Sequence, residues 1–161
     1  MLKPLSAHHT VSAVWHADPA VDQDKSDIEG YLENVARNPS CWTDYLKFKD
    51  GQQPTKFEIG VIPPSTLTNY EDECYLGKAN QKRNTLHMLC FIRGVRDIKD
   101  GAELLGAEAE IPKTSPGAGL PEHVSATWVE KTFVRDLRQC VLFIGGLAWS
   151  WQQFGSDDAK N

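Results

Sequence analysis

The chain is 161 residues long, 40% hydrophobic and 24% charged, with a formal net charge of −5. Those values fit one domain that buries its own core without disulfides or metals, and they exclude a disordered chain or a second domain of ordinary size. Lysine and arginine are interleaved with acidic residues instead of forming a stripe that follows a phosphate backbone, so nucleic-acid binding is disfavoured.

Residues 1–25 combine Pro4, Pro19, the pair His8–His9 and the acids Asp18, Asp22 and Asp24, with no sustained period beyond the run Val11 to Trp15. They read as a loose N-terminal arm. Met1 to Ser6 has no uninterrupted apolar stretch, so no secretion signal is expected and the host cytoplasm is the expected location. Ser26 and Glu29 then form an S-x-x-E capping box, in which each side chain satisfies a free backbone donor of the first turn. Ile28, Tyr31, Leu32, Val35 and Ala36 follow at helical spacing, and Asn38–Pro39 ends that helix.

Tyr45–Lys49 and Thr55–Ile62 alternate apolar with polar residues, as two half-buried strands do, and Asp50–Gly51 supplies a turn between them. They are expected to pair as a hairpin, although Trp42 and Tyr45 also suit a short helix after Ser40. Pro63–Pro64 stops the second strand. Thr68 and Glu71 form a second capping box, opening a polar helix. Ala79 to Arg93 runs from a polar lead into Leu86–Ile92, an apolar stretch that suits a buried helix or a core strand; its length and lead favour helix, ended by Gly94.

Residues 97–121, rich in glycine and proline, read as a surface loop with one brief helical turn at Leu104–Leu105. Thr127 and Glu130 make a third capping box, and Val129, Phe133, Leu137, Cys140, Val141, Ile144, Leu147, Ala148 and Trp151 keep helical spacing after it. One long helix is therefore expected over Trp128 to Gln153, with Gly145 and Gly146 weakening it by about 1 kcal/mol each relative to alanine. The apolar run Cys140 to Trp149 is about half the roughly 20 residues a bilayer span needs, so no membrane role is expected. The predicted fold class is α+β: a mainly helical single domain over 26–154 with one β-hairpin, a long C-terminal helix and a polar tail at 155–161.

No catalytic, metal or cofactor site is expected. Cys41, Cys74, Cys90 and Cys140 are scattered and read as reduced, mostly buried thiols. Cys90 lies three residues from His87, but in the most apolar stretch, which makes a thiol inert. His8, His9 and His16 with Asp18 match no metal-ligand spacing, and His123 reads as a solvated loop residue. The acids Asp22, Asp24, Asp27 and Glu29, like Glu71, Asp72 and Glu73, stand near helix N-termini, where the dipole favours them. Lys78, Lys82, Arg83, Arg93 and Arg96 read as a solvated helix face. Gly145–Gly146 lies in a helix and makes no phosphate loop.

The feature left over is the apolar C-terminal helix. Phe143, Leu147, Trp149, Trp151 and Phe154 occupy more than one face, so some of them are expected to remain available to a protein partner, unless the rest of the domain wraps the helix.

The order of elements resembles the small assembly proteins of phage tail operons, the tail assembly chaperone group that includes prophage XkdN-like proteins. The likeness is one of layout over roughly residues 45–151. Phe57–Glu58–Ile59 leads to Pro63 and then to the acidic helix start Leu67–Thr68–Asn69–Tyr70–Glu71–Asp72–Glu73–Cys74. The apolar turn Leu86–Ile92 and the loop Gly94–Gly101 follow, and Leu120–Pro121 precedes the last helix. The tryptophan-rich end departs from that pattern, which has milder apolar residues there. The resemblance implies binding of a tail component such as the tape-measure protein, with no catalysis and no cofactor. Two other readings stay open: a structural component of the virion, at the head–tail junction or in the tail, and a small enzyme or inhibitor with a site built from the 97–121 loop and His123.

Overall fold

A computed structural model describes residues 8–75, 82–99, 111–117, 119–132 and 137–160, with Tyr75 and residues 154–160 given by their backbone path alone. The fold is α+β, with six helices and a small three-stranded antiparallel sheet among the described residues. The expected helical turn at Leu104–Leu105 lies outside the described residues.

The sheet is built around β2 (Lys56–Gly60), flanked by β1 (Thr10–Val14) on one side and β3 (Val95–Lys99) on the other. Phe57 and Ile59 are fully buried while Lys56 and Glu58 are only partly so, the alternation expected of a strand with one core face. Both edges of β2 are occupied by segments distant in sequence: Val11 stands opposite Ile59, and Ile98 opposite Phe57.

The expected hairpin between Tyr45–Lys49 and Thr55–Ile62 is therefore not formed. The chain does turn at Gly51, which adopts φ 73°, a left-handed conformation suited to glycine. Phe48 then bridges Val21 instead, and Lys47 O accepts from Asp22 N–H at 2.8 Å. On the far side of the turn, the Asp18 carboxylate accepts from Thr55 N–H at 3.0 Å and from Ala20 N–H at 2.8 Å. One buried acid thus ties the N-terminal segment to the strand entrance.

Residues 10–25 are correspondingly not a loose arm. Ala13, Val14, Ala20 and Val21 belong to the core. The outer edge of β1 is closed by side chains, since Trp42 Nε1 donates to Ser12 O at 3.1 Å and Tyr31 Oη donates to Val14 O at 2.5 Å. Those bonds use the carbonyls an exposed edge would leave open for pairing. Burial, followed by the neighbouring Cys41 thiol, raises the Tyr31 hydroxyl well above its usual range, while the bond to Val14 acts in the opposite direction.

Helices α1 (Ile28–Asn34), α2 (Trp42–Tyr45), α3 (Pro64–Tyr75) and α4 (Arg83–Gly94) follow in chain order, with a 3-10 turn at Pro39–Cys41 before α2. Each capping box sits out of register with the helix start it was expected to mark. The α1 cap is Asp27, whose carboxylate accepts from Gly30 N–H at 3.0 Å, while Ser26 Oγ is taken by the backbone of Lys47. Helix α3 begins at Pro64, a favoured first-turn residue, which leaves Thr68 inside the helix.

The last expected helix is two helices, α5 (Ala126–Thr132) and α6 (Arg138–Lys160), with Leu137 non-helical between them. Ser125 caps α5 by accepting from Trp128 N–H at 3.4 Å. Helical spacing survives the break because periodicity reports which face is buried, not whether the helix is continuous. Helix α6 extends through the segment expected to be a frayed tail, since adding a turn to an existing helix costs far less than starting one.

Helices α4 and α6 make the most extensive packing between elements. Gly145 explains how close they come, because a methyl group there would lie 1.9 Å from His87 O. Gly94 meets α6 in the same way, its hypothetical Cβ 3.1 Å from Ala148 Cβ. A short pair, β4 (Lys113–Thr114) with β5 (His123–Val124), packs β5 against β3 and α4.

Gln152 fastens α6 to the sheet. Its carbonyl accepts from Ile62 N–H at 3.0 Å, and its amide donates to Gly60 O at 3.0 Å and Ala148 O at 2.9 Å. Gln152→Ala would strand a buried donor and a buried acceptor of the β2 exit. We expect a loss of about 2–4 kcal/mol, read from chemical denaturation, against a few tenths for the exposed Gln153→Ala.

Candidate functional site

The C-terminal aromatic residues divide between core and surface. Leu147 is 5% exposed and Trp151 4%, and both belong to the core cluster. The expectation that they dock a partner is corrected for these two, because both are packed into the core, Trp151 with the His9 ring stacked on it at 5.8 Å. Phe143 is half-buried, meeting His16 edge-on at 4.9 Å and Tyr31 at 6.3 Å. Trp149 is half-buried on the other side, tilted against His87 at 6.1 Å, and its indole N–H has no acceptor among the described residues. The side chain of Phe154 lies outside the described residues.

Phe143 and Trp149 border a shallow groove of about 370 Å³ between α6 and the first half of α4. Arg83 and His87 supply its polar edge, with Gly146 and the buried Leu147 in its floor. The His87 pKa is lowered by burial first and then by the Arg83 charge, so the groove holds a neutral imidazole beside an exposed cation. Among the described residues Leu32, on α1, is the large apolar side chain that stands exposed, at 45%, and it does not line this groove.

The basic residues also divide, and here the reading of one solvated face is corrected. Lys82 and Arg83 are exposed, Lys78 lies outside the described residues, and Arg93 and Arg96 are only 8% and 9% exposed. Both line a second cleft, of about 200 Å³, with Val61, Pro63, Pro64 and Pro121. Spacing along a helix could not reveal this, because α4 passes directly into β3 between the two arginines. His123, expected in solvent, is buried beside them, and its Nδ1–H donates to Val124 O at 3.0 Å. Desolvation is the main cause of its lowered pKa, with Arg93 and Arg96 acting in the same direction.

All four cysteines are free and buried. Burial, followed by the Glu71 and Cys74 charges, pushes the Cys90 thiol up to about 12, so it is no nucleophile at neutral pH despite His87 on the same helix. Cys140 is raised further in the same direction, by burial and then Asp18. Among the described residues no three of His, Cys, Asp and Glu converge as metal ligands would. The paired rings of His9 and His16 with α6 give those histidines a packing role. No helix among the described residues is long and apolar enough to cross a membrane.

Comparison of the chain with protein-family models, with curated proteins and with solved structures gave no match in any of the three.

Proposed function

We propose that the protein acts by binding another protein, as a phage or prophage tail assembly chaperone-like factor in the host cytoplasm. The observation that carries the reading is the α4–α6 groove, where two aromatic side chains of an otherwise well-packed helix remain open beside a cation. The order of strand, acidic helix, apolar helix and terminal helix over residues 45–151 supports the assignment to tail assembly. The occupant is an amphipathic helix of the tape-measure protein or another tail component, laying apolar side chains on Phe143 and Trp149 and an acidic residue near Arg83. Docking of that kind uses a few apolar anchors at helical spacing, and a new acceptor for the Trp149 indole would offset the cost of about 1–3 kcal/mol of leaving a buried donor unpaired.

Co-expression with the tape-measure protein of the same phage tests this. The unmodified protein should co-purify with it, whereas Trp149→Ala and Ser150→Arg should each lose capture while keeping cooperative unfolding. Capture unchanged by both substitutions, or no capture by the unmodified protein, would reject the groove. Mass spectrometry of purified particles separates the chaperone from the virion component, since a chaperone is absent from finished particles.

A further inference from the structure

The second cleft owes its charge to an irregularity in the sheet. Glu58 pairs with Asp97 and Ile59 with Val95, which leaves Arg96 as the extra residue of a β-bulge. Bulges re-aim the side chain they carry. Arg96 is laid across the end of β2 over Gly60, where a Cβ would stand 2.5 Å from its Nε. Its Nη1 donates to Arg93 O at 2.7 Å, its Nη2 donates to Val61 O, and its Nε–H has no acceptor among the described residues. Arg93 arrives from the last turn of α4, and no described residue accepts a hydrogen bond from its guanidinium.

Neither arginine has a carboxylate partner among the described residues. The nearby acids of the sheet are engaged elsewhere: Glu58 pairs with Lys99 at 2.9 Å, and Asp97 with Lys113 at 3.4 Å. Burial, then the Arg93 charge, brings the Arg96 pKa down to about 10, a sign of two cations held together out of water. Charges so placed are unfavourable until a counter-charge arrives.

We propose that this cleft binds a carboxylate carried on a short apolar body, with Arg93 and Arg96 receiving the carboxylate and the proline-rich walls receiving the body. A guanidinium fork matches the two oxygens of a carboxylate. A phosphate presents oxygens on several sides, and Pro63, Pro64 and Pro121 offer no backbone N–H to meet them. The volume of about 200 Å³ is below the roughly 300 Å³ at which drug-sized pockets begin, so the body is no larger than a ring or one side chain. A free small acid and the last residue of a peptide share that chemistry. The cleft stands at the opposite end of α4 from the groove, and the inference does not rest on a tail partner.

The test is a titration of the ¹⁵N-labelled full chain, followed through the arginine Nε–H resonances by NMR at constant ionic strength. The probes are sodium benzoate, a short peptide ending in leucine with a free carboxylate, its amidated twin, and inorganic phosphate. Saturable shifts at Arg93 and Arg96 with either carboxylate, and much weaker ones with the amidated peptide and phosphate, are expected. Response to benzoate alone assigns the source as a free acid; response to the peptide alone assigns a chain terminus; response to both supports the shared chemistry. Arg93→Gln should weaken binding about tenfold or more, and Arg93→Lys should restore part of it. Leu120→Trp, which fills the cleft and leaves both arginines in place, should abolish it. No saturable shift with either carboxylate, or equal shifts with phosphate and the amidated peptide, overturns the inference without recourse to any variant.

Discussion

Trp151→Asp is expected to abolish the cooperative unfolding transition, leaving a chain without a defined native state at room temperature. The indole is 4% exposed and stacked on His9. Truncating a buried tryptophan costs about 3–5 kcal/mol, and an unpaired carboxylate in the same site adds several more. Together these are on the order of the 5–15 kcal/mol that stabilises an ordinary domain. Trp149, two residues earlier, lies about 200° around the helix and is only half-buried. Trp149→Ala should therefore retain a cooperative transition, with a loss of about 1–2 kcal/mol. Circular dichroism and thermal melts of the two variants side by side decide the matter, and a folded Trp151→Asp protein would contradict the core position.

Gly145→Ala should destabilise by about 1–3 kcal/mol or more, although helix propensity alone predicts a gain of about 1 kcal/mol. The sign is set by the neighbour, because the added methyl would stand 1.9 Å from the backbone oxygen of His87. A carbonyl inside a helix cannot rotate away, so α4 and α6 must separate, and their shared core is the largest in the domain. Gly146→Ala is the internal control. Its Cβ meets the His87 ring at 3.2 Å, which a small side-chain shift relieves, and that variant should be near neutral or slightly stabilised. The urea midpoints of the two variants should therefore move apart, and stabilisation of Gly145→Ala would show that the helices do not approach at this point.

The same contrast explains which parts of the fold were legible. Helical spacing located α1 and the run that contains α6, length and a polar lead favoured helix over strand for α4, and the alternation of Phe57 and Ile59 located β2, because those signals depend only on nearby residues. The capping boxes were less reliable. Ser26 has the right side chain for a cap, but the backbone of Lys47 occupies its hydroxyl, and Asp27 takes the role instead.

The candidate groove was half-legible. An apolar C-terminal helix was evident, but its residues could not be sorted into core and surface until the element covering it was known. That element is the N-terminal segment, whose His9 and His16 reach Trp151 and Phe143. Arg93 and Arg96 were missed for a related reason. Their spacing is that of one helix face, whereas the chain changes from helix to strand between them and a bulge re-aims the second.

What the amino-acid sequence determined unaided was the mixed α+β class, the position of its strongest periodic elements and the absence of any long apolar span among them, all consequences of short-range patterning. What only the tertiary structure decided was partnership: which segments flank β2, which tryptophan is buried, and which arginines lose their water. Pairing and burial are properties of two surfaces at once, and a local pattern describes only one of them.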